Sequence, residues 1–341
     1  MTRPRHPTIR DVAARAGVSK SLVSLALQGS NRVSDESRAA IWAAAEELGY
    51  RPNAAARNLG ASRSRTIGVF LLDLHNPVSA DFVDAVQTEA RRRDFRTILV
   101  VGSDDAEIEQ AELEKLLEFR VEGMIAFGHR LPVRAHQVIG AGFPAVIVSS
   151  EHRGLAHLAC ITNDDVAGAE LAVEHLVSLG HRRIAHITGG DNEVAMRRRR
   201  GYEQAMHRHG LGDEVSCFEG AFSDLGGLAA MRLVLQSEPT PSAVFVCSDY
   251  AAIGALASTA ERGLRVPQDI SVIGYDGTRL SSMPTVSLST IAQPIADMGT
   301  QAAAMLADWL DHGEQPAAST LVSPRLVTRA TTAAPQGTHV P

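Results

Sequence analysis

Cysteine and aromatic residues are scarce in this chain of 341 residues. The three cysteines are Cys160, Cys217 and Cys247, and Phe, Trp and Tyr together make up 4%. Cysteines that are so few and so far apart argue against a disulfide framework and against a cysteine-based zinc site. The histidines are scattered, and His207 and His209 lack the spacing of a helical metal site. We therefore expect neither a metal nor a cofactor.

Long apolar runs are also missing, although hydrophobic residues make up 45% of the chain. The sequence has no stretch of the length that crosses a membrane, and its first residues lack the apolar core of a signal peptide. We therefore expect a cytoplasmic protein that makes no membrane contact. Its length and apolar content predict two or three domains with large buried cores.

The short motifs of common catalytic sites are absent as well. The sequence contains no G-x-x-x-x-G-K-[ST] phosphate loop, no G-x-G-x-x-G, no G-x-S-x-G and no H-E-x-x-H. A repeated βα architecture by itself says nothing about chemistry. We therefore predict no catalytic residues and expect that this chain is not an enzyme.

Charge is distributed unevenly along the chain. Residues 1–65 carry eleven Lys and Arg against five Asp and Glu, whereas the remainder carries 22 against 34, giving a net charge of −6. A basic head on an acidic body is typical of a nucleic-acid-binding module joined to a part that does not touch nucleic acid.

Residues 8–27 predict two short helices with a tight turn between them. Thr8 and Asp11 have the spacing of a capping box, Gly17 ends the first helix, and Ser19 caps the second. The side chains expected to point outward from the second helix are those of Lys20, Ser21, Ser24 and Leu25. Such a helix suits the DNA major groove, although the same pattern also fits an ordinary helical hairpin.

The head is completed by a third predicted helix, which Ser34 caps. Residues 1–52 therefore predict a small three-helix domain. After Pro52, Asn53 can cap a helix of about two turns, which is marginal in water without a packing partner. We interpret residues 53–65 as a hinge helix and linker.

From Thr66 onward, apolar runs of strand length alternate with helical segments. The predicted strands are Thr66–Leu72, Arg96–Gly102, Val121–Phe127, Phe143–Ser149, Arg183–Thr188, Ser242–Cys247 and Ile270–Tyr275. The predicted helices are Ala80–Arg93, Glu107–Phe119, Val166–Leu179, Gly201–Gly210 and Tyr250–Gly263. Continuous apolarity indicates parallel strands buried on both faces, hence a doubly wound α/β core. Its size predicts two lobes with a ligand site between them.

Eight segments, spread over nearly the whole chain, match one family in that family's order. They are TIRDVAARAGVSKSLVSLAL from Thr8, RVSDESRAAIWAAAEELGYRPNAAARNL from Arg32, DLHNP at Asp73–Pro77, HLVSLGHRRIAHITG at His175–Gly189, RRRGY ending at Tyr202, VPQDISVIGYDG at Val266–Gly277, STIAQP at Ser289–Pro294 and PRL at Pro324–Leu326. Each segment alone is weak evidence, but the ordered set closely resembles the LacI/GalR (lactose-repressor) family of regulators.

The resemblance implies a fold and a domain organisation. The expected fold is α/β, with an N-terminal three-helix helix-turn-helix DNA-binding domain and a two-lobed, doubly wound core like that of periplasmic sugar-binding proteins. The expected N-terminal core subdomain is residues 66–163 with 294–322, and the C-terminal one is 164–293 with 323–330. Residues 331–341 are polar and contain prolines, so we expect a disordered tail there.

The resemblance also implies a homodimer on a near-palindromic DNA operator. The base-reading positions match Lys20, Ser21 and Leu25; the backbone-contacting positions match Thr8, Ser19, Ser24, Arg32, Ser34, Tyr50 and Asn53; and a minor-groove position matches Ala56. Leu59 matches a leucine that wedges between bases, although it could instead be a helix-end packing residue. Many members carry Arg or another polar residue at the position of Leu25, so no member's operator sequence is transferred to that base pair.

A small effector between the lobes is a further implication of the resemblance. Arg198 and Asp276 match the ligand-contacting arginine and aspartate, which together can bind vicinal hydroxyls. The other matching pocket positions are Val78, Ser79, Ser149, Asp165, Phe222 and Ser248. Most of the basic run at residues 197–200 is expected on the solvated surface, and only Arg198 is assigned to the ligand. Ser248 could instead cap the next helix, and Asp276 could be a turn residue.

These matches predict a sequence-specific DNA-binding repressor whose operator affinity a small effector controls. Val78 and Ser79 replace the aromatic residues of some members, which favours a sugar or sugar derivative over a stacked base. Two alternatives stay within regulation, namely control by a phosphoprotein co-regulator or by a nucleobase. A more distant alternative is a secreted sugar-binding protein, although the basic head and the missing signal peptide count against it.

Overall fold

The computed structural model describes residues 7–27, 30–51, 63–103, 105–128, 133–150, 158–317 and 319–336. Three predicted DNA contacts, Asn53, Ala56 and Leu59, lie outside these residues, as does most of the predicted hinge. The chain divides into two compact units, a head that ends at Ser64 and a core that begins at Arg65. Within the described ranges, no helix is both long and apolar enough to span a membrane.

The head is a bundle of three helices. They are α1 (Ile9–Ala16), α2 (Lys20–Leu27) and α3 (Asp35–Glu47). Each helix contributes a fully buried side chain to one apolar cluster, namely Val12, Val23 and Ile41. Helices of eight residues are unstable alone, so this shared cluster holds them in place.

Lobe 1 of the core is a parallel sheet with helices on both faces. Its strands are β1 (Thr66–Leu71), β2 (Arg96–Val101), β3 (Gly123–Phe127), β4 (Ala145–Val148), β5 (Leu158–Asn163) and β11 (Ser319–Val322), in the order β11-β5-β4-β3-β1-β2. One face packs on α4 (Pro77–Arg92) and α11 (Ile295–His312), and the other on α5 (Ala106–Glu118) and α6 (Val133–Gly140). The doubly wound prediction is confirmed for this lobe.

Lobe 2 repeats this architecture. Its strands are β6 (Ile184–Ile187), β7 (Ser216–Phe218), β8 (Ala243–Val246), β9 (Ser271–Asp276), β10 (Ser289–Ala292) and β12 (Arg325–Val327), in the order β12-β10-β9-β8-β6-β7. One face packs on α7 (Asp165–Ser178) and α8 (Glu193–Arg208), and the other on α9 (Asp224–Val234) and α10 (Asp249–Glu261). Only β12 is paired antiparallel among the described pairings, to β10. A short 3₁₀ helix, Gly212–Glu214, precedes β7.

The glycine of the RRRGY segment permits the close packing of α7 against α8. A Cβ atom on Gly201 would lie 2.3 Å from the carbonyl oxygen of Val166. Since no side chain fits that gap, the two helices can approach this closely only at a glycine. This contact packs the middle of α8 against the first turn of α7.

Several elements differ from the sequence prediction. α8 begins at Glu193 rather than at Gly201, because the run of arginines hides the helical period of its first turns. The elements that the sequence prediction missed are β5, β7, β10, β11, β12, α6, α9 and α11. Several of these are edge strands of three or four residues, whose apolar pattern is too short to distinguish from a loop.

The predicted disordered tail is wrong for residues 331–336. Thr331 is buried; its hydroxyl donates to the carbonyl of Val272 at 2.7 Å and accepts from the backbone of Ser289 at 2.9 Å. The backbone N–H of Ala333 donates to the hydroxyl of Ser271 at 3.1 Å. The polar composition suggested a segment exposed to solvent. Its polar groups instead form hydrogen bonds with the backbone and side chains at the starts of β9 and β10 in lobe 2.

Candidate nucleic-acid interface and effector site

Local capping interactions define where the two helices predicted to contact DNA begin and end. The backbone N–H and hydroxyl of Thr8 both donate to Oδ2 of Asp11 at 2.7 Å, which closes the predicted capping box. Gly17 ends α1 at φ +67°, a left-handed conformation that favours glycine. The hydroxyl of Ser19 accepts from the N–H of Leu22 at 3.2 Å and starts α2.

Three of the predicted phosphate contacts lie at helix N-termini. Thr8 precedes α1, Ser19 precedes α2, and Ser34 caps α3 by accepting from the N–H of Ser37. All three side chains are exposed. Free N–H groups and the helix dipole make such positions favourable for phosphate.

The remaining predicted contacts of the head differ in exposure. Lys20, Ser21 and Arg32 are exposed, whereas Ser24 and Tyr50 are half-buried. Leu25 is also half-buried and packs against the head core, so the expectation that it points outward is wrong in part. Because α2 has only eight residues, its leucines pack against the head core beside the fully buried Val23.

A cavity of about 620 Å³ lies between the lobes, in the cleft where the sequence predicts an effector site. Its described lining residues are Leu72, Asp73, Asn76, Ser79, Ser103, Phe127 and Gly128 of lobe 1, with Gly189, Ala221, Phe222 and Ser223 of lobe 2. The cavity lies where parallel strands of both sheets end, which is the usual ligand position in α/β sheets. Its volume is typical of small-molecule sites.

The DLHNP segment forms the polar wall of this interlobe cavity. Oδ1 of Asp73 accepts from the N–H of His75 at 2.7 Å, and Oδ1 of Asn76 accepts from the N–H of Val78 at 3.2 Å. The hydroxyl of Ser79 donates to the carbonyl of Asp73 at 2.5 Å. These local bonds fix the start of α4, so the polar side chains meet the cavity in a defined arrangement.

Two phenyl rings, one from each lobe, form the apolar walls of the cavity. Phe127 of lobe 1 stacks on Phe82, with ring centroids 4.3 Å apart. Phe222 of lobe 2 lies over the guanidinium of Arg198, which is 5.6 Å from the ring centroid. Phe222 was expected from the sequence. Phe127 was missed, because within a continuous apolar strand nothing marks the residue at the cleft.

Arg198 is buried in a cluster of acceptors behind the cavity wall. Its Nε donates to Oδ1 of Asp165 at 3.1 Å, and its Nη1 donates to the carbonyl of Cys247 at 2.5 Å and to Oδ1 of Asp276 at 3.2 Å. The guanidinium stacks on the ring of Tyr275, 3.7 Å from the centroid. Nε and Nη1 of Arg198 are therefore held by acceptors of the protein itself, and Arg198 is not among the described residues that line the interlobe cavity.

Burial and neighbouring charges compete within this cluster. Although burial opposes its charge, Asp165 and Asp276 hold the pKa of Arg198 above its ordinary value. Burial raises the pKa of Asp276 to about 7, because it outweighs the lowering effect of Arg198. Gln293 supports this carboxyl by donating from Nε2 to Oδ1 at 2.7 Å.

Asp249 forms a second buried carboxylate site beside this cluster. Its Oδ2 accepts from the N–H and hydroxyl of Thr278 at 2.7 and 2.9 Å, and its Oδ1 accepts from Thr290 at 2.6 Å. Burial raises its pKa. These bonds tie the loop after β9 to α10, so they position Asp276 at the strand end.

The structure separates the eight predicted effector residues into groups. Ser79 and Phe222 line the interlobe cavity, whereas Val78 and Asp276 line a second cavity of about 530 Å³ beside α4 and the start of α11. Arg198 and Asp165 are buried in the arginine cluster, Ser248 is a buried cap that accepts from the N–H of Ala251 at 3.1 Å, and the Ser149 carbonyl accepts from Arg197. The capping alternative for Ser248 thus fits the geometry.

Arg197 is an exception to the solvated surface that was expected for most of the run at residues 197–200. Its side chain is 15% exposed and lies against Asp165 and Glu193. Because a helix has 3.6 residues per turn, Arg197 and Arg198 lie on the side of α8 that faces the cleft, while Arg199 and Arg200 are exposed as expected.

Across the described ranges, no group of His, Cys, Asp and Glu has the arrangement of a metal site.

Comparisons with known proteins agree with this geometry. The model for "Bacterial regulatory proteins, lacI family" matches residues 8–53, and that for a "Periplasmic binding protein-like domain" matches residues 173–332. The HTH-type transcriptional repressor PurR of Edwardsiella ictaluri is 34% identical over 326 residues, covering 94% of this chain and 96% of the relative.

Solved structures give the same result. The lac repressor dimer bound to operator and the anti-inducer ONPF has a TM-score of 0.84 at 31% identity, covering 97% of this chain and all of that chain. A LacI family transcriptional regulator from Enterococcus faecium with bound ribose has a TM-score of 0.72 at 28% identity, covering 80% of this chain and all of that chain. This chain therefore belongs to the lacI family of bacterial regulatory proteins and is a DNA-binding transcriptional regulator, not an enzyme.

Proposed function

We propose that this chain is a cytoplasmic repressor that binds a near-palindromic operator as a homodimer. A sugar or sugar derivative in the interlobe cavity controls its operator affinity. The observation that carries this proposal is the cavity of about 620 Å³, because both lobes contribute walls to it. A ligand that contacts both walls binds the closed arrangement better than an open one, and so shifts the population toward closure.

The chemistry of the described walls supports a sugar. Asp73, Asn76 and Ser223 offer carboxylate, amide and hydroxyl groups that suit a polyhydroxylated ligand. Phe127 and Phe222 offer flat apolar surfaces to the C–H face of a sugar ring. The ribose bound to the Enterococcus faecium regulator shows that a relative with this fold holds a sugar.

A nucleobase or nucleoside is the second candidate, and the two phenyl rings favour it. The sequence argued against a stacked base because Val78 and Ser79 are not aromatic. Phe127 and Phe222, which come from different lobes, supply the aromatic surfaces that those positions lack. A planar base could stack on either ring.

A thermal-shift screen tests the effector class. Sugars, sugar phosphates, nucleosides and nucleobases are added to the full chain, and a ligand at about 100 times its Kd stabilises the fold by about 2.7 kcal/mol. Each ligand that stabilises the protein is then tested for its effect on operator affinity by fluorescence anisotropy. We expect Phe222→Ala to abolish the shift and Leu225→Ala, an exposed residue outside the cavity lining, to keep it. If a ligand raises the unfolding temperature of Phe222→Ala as much as that of wild type, the effector binds outside this cavity.

Operator binding is expected to depend on Leu59, which lies outside the described residues. The family resemblance makes it the minor-groove wedge, so Leu59→Ala weakens operator binding while effector affinity measured without DNA stays nearly unchanged. Calorimetry that shows a large loss of effector affinity in this variant contradicts the assignment. Because the two sites are linked, operator DNA must change effector affinity by the same factor as the effector changes operator affinity.

A further inference from the structure

Arg197 of α8 reaches from lobe 2 to lobe 1. Its Nη2 donates to the carbonyl oxygen of Ser149, which follows β4, at 3.3 Å. Its Nη1 donates to Oε1 of Glu193 at 2.9 Å, and its Nε donates to Oδ2 of Asp165 at 3.3 Å. One guanidinium thus joins two carboxylates of its own lobe to a backbone carbonyl of the other.

A second contact between the lobes lies beside the first. The hydroxyl of Ser150 donates to Oε2 of Glu193 at 3.3 Å, and Ser150 is almost completely buried. Glu193 and Arg197 are one helical turn apart and pair with each other. This pair therefore contacts two consecutive residues of lobe 1.

The backbone of lobe 1 is strained at this contact. Ser149 has φ +74°, a left-handed conformation that a residue other than glycine rarely adopts. Its N–H is held by the carbonyl of Ile161 at 2.9 Å, while its own carbonyl accepts from Arg197. Strain of this kind persists where surrounding contacts enforce it, and it is concentrated at functional sites.

Asp165 connects this contact to the wall of the interlobe cavity. Its Oδ2 accepts from Arg197 and its Oδ1 accepts from Arg198, whose guanidinium lies 5.6 Å from the centroid of the Phe222 ring. A change at the Phe222 wall that moves Arg198 must alter the hydrogen bonds of Asp165. Since Asp165 also orients Arg197, that change reaches lobe 1.

We propose that Arg197 and Glu193 form an interlobe clamp, which closes on Ser149 and Ser150 and is positioned by Arg198 through Asp165. The clamp sets how readily the lobes separate, and this holds whichever effector the cavity binds. The inference therefore goes beyond the proposed function and does not depend on the sugar assignment. Hydrogen bonds to charged groups with little exposure are stronger than those of ordinary surface pairs.

Lobe separation in the effector-free full chain tests the clamp directly. Dyes are placed on cysteines introduced at the exposed positions Glu107 in lobe 1 and Arg262 in lobe 2, with Cys217 replaced by serine. Labelled subunits are mixed with an excess of unlabelled chain, and single-molecule energy transfer reports the distance between the lobes. We expect Arg197→Met to lower the ratio of closed to open molecules about tenfold.

The matched control is Arg199→Met on the same helix. Arg199 pairs with Glu203 within lobe 2 and is exposed, so its loss removes an ion pair without touching lobe 1. Arg199→Met is expected to leave the energy-transfer distribution unchanged, and Arg197→Lys is expected to restore part of the closed population. An unfolding midpoint close to wild type shows that Arg197→Met acts on the clamp rather than on folding.

Two results overturn the proposal. One is a distribution for Arg197→Met that is the same as wild type, and the other is an equal shift for Arg199→Met. If Arg197→Met does not fold, Glu193→Gln is used in the same experiment. This substitution keeps the shape of the side chain and removes the charge that holds Arg197. A shift toward open molecules in Glu193→Gln then supports the clamp, and an unchanged distribution overturns it.

Discussion

Oδ1 of Asp276 lies 3.2 Å from Nη1 of Arg198, and both side chains are almost completely buried. The two residues were expected to bind the effector together from one cleft. In the structure, Asp276 ends β9 at φ +110° and lines the second cavity, while Arg198 lies beside the ring of Phe222. The pair therefore organises lobe 2, because Nε and Nη1 of Arg198 bind acceptors that belong to this lobe.

Asp276 makes the stability of the core dependent on pH. Burial raises its pKa in the folded state to about 7, above the 3.8 of an unperturbed carboxyl. Between these values the folded chain holds a proton that the unfolded chain releases, so the stabilising contribution is complete below about pH 4 and is lost as the pH rises to about 7. We expect the free energy of unfolding of wild type, relative to Asp276→Asn, to fall over this range and then to level off.

Urea unfolding from about pH 4 to about pH 8 measures this difference. Asp297→Asn serves as the control, because Asp297 also lines the second cavity but is exposed. Parallel pH profiles for wild type and Asp276→Asn contradict the raised pKa.

Leu25 is expected to determine the base read at one symmetric operator position. Leucine can touch a thymine methyl but cannot make the bidentate contact of arginine to guanine. We therefore expect Leu25→Arg to shift preference toward guanine there, with discrimination of about 1–3 kcal/mol. Selection of binding sites from a random library with both proteins measures the shift.

The half-buried position of Leu25 calls for a folding control in that experiment. Circular dichroism of Leu25→Arg shows whether the head keeps its helices, and Leu25→Met keeps an apolar side chain against the head core. Leu25→Met is expected to select the wild-type consensus. The same consensus for wild type and a folded Leu25→Arg refutes the assignment.

Residues 331–336 are expected to stabilise the core. Truncation after Ala330 removes the bonds of Thr331 to Val272 and Ser289 and leaves the buried N–H of Ser289 without its partner. Since each lost bond costs about 1 kcal/mol and an unsatisfied buried group costs more, we expect a loss of roughly 3 kcal/mol in the free energy of unfolding. Truncation after Gln336 is the matched control and is expected to change little.

Gly254 is expected to tolerate no side chain. A Cβ atom at this position of α10 would lie 1.8 Å from the carbonyl oxygen of Asp224 at the start of α9. Alanine normally stabilises a helix interior by about 1 kcal/mol relative to glycine, but here it must push the two helices apart. We expect Gly254→Ala to destabilise the core by about 3 kcal/mol, and an increase in its thermal unfolding midpoint contradicts the packing.

Part of the candidate site could be predicted from local signals. The caps at Thr8, Ser19 and Ser34 depend on neighbours no more than three residues away, so they are visible in the sequence. Phe127 gave no such signal, because every residue of a strand buried on both faces is apolar, including the one at its end.

The amino-acid sequence by itself determined the three-helix head, the alternation of strands and helices in the core, and the family to which the chain belongs. Each of these depends on residue type and spacing along a continuous segment. Only the tertiary structure decided that Arg198 is buried against acceptors of its own lobe and that Arg197 contacts the other lobe. Four acceptors of these arginines, at residues 149, 165, 247 and 276, lie at three strand ends and at the start of α7. Which of them a guanidinium reaches depends on how two sheets far apart in the sequence come together.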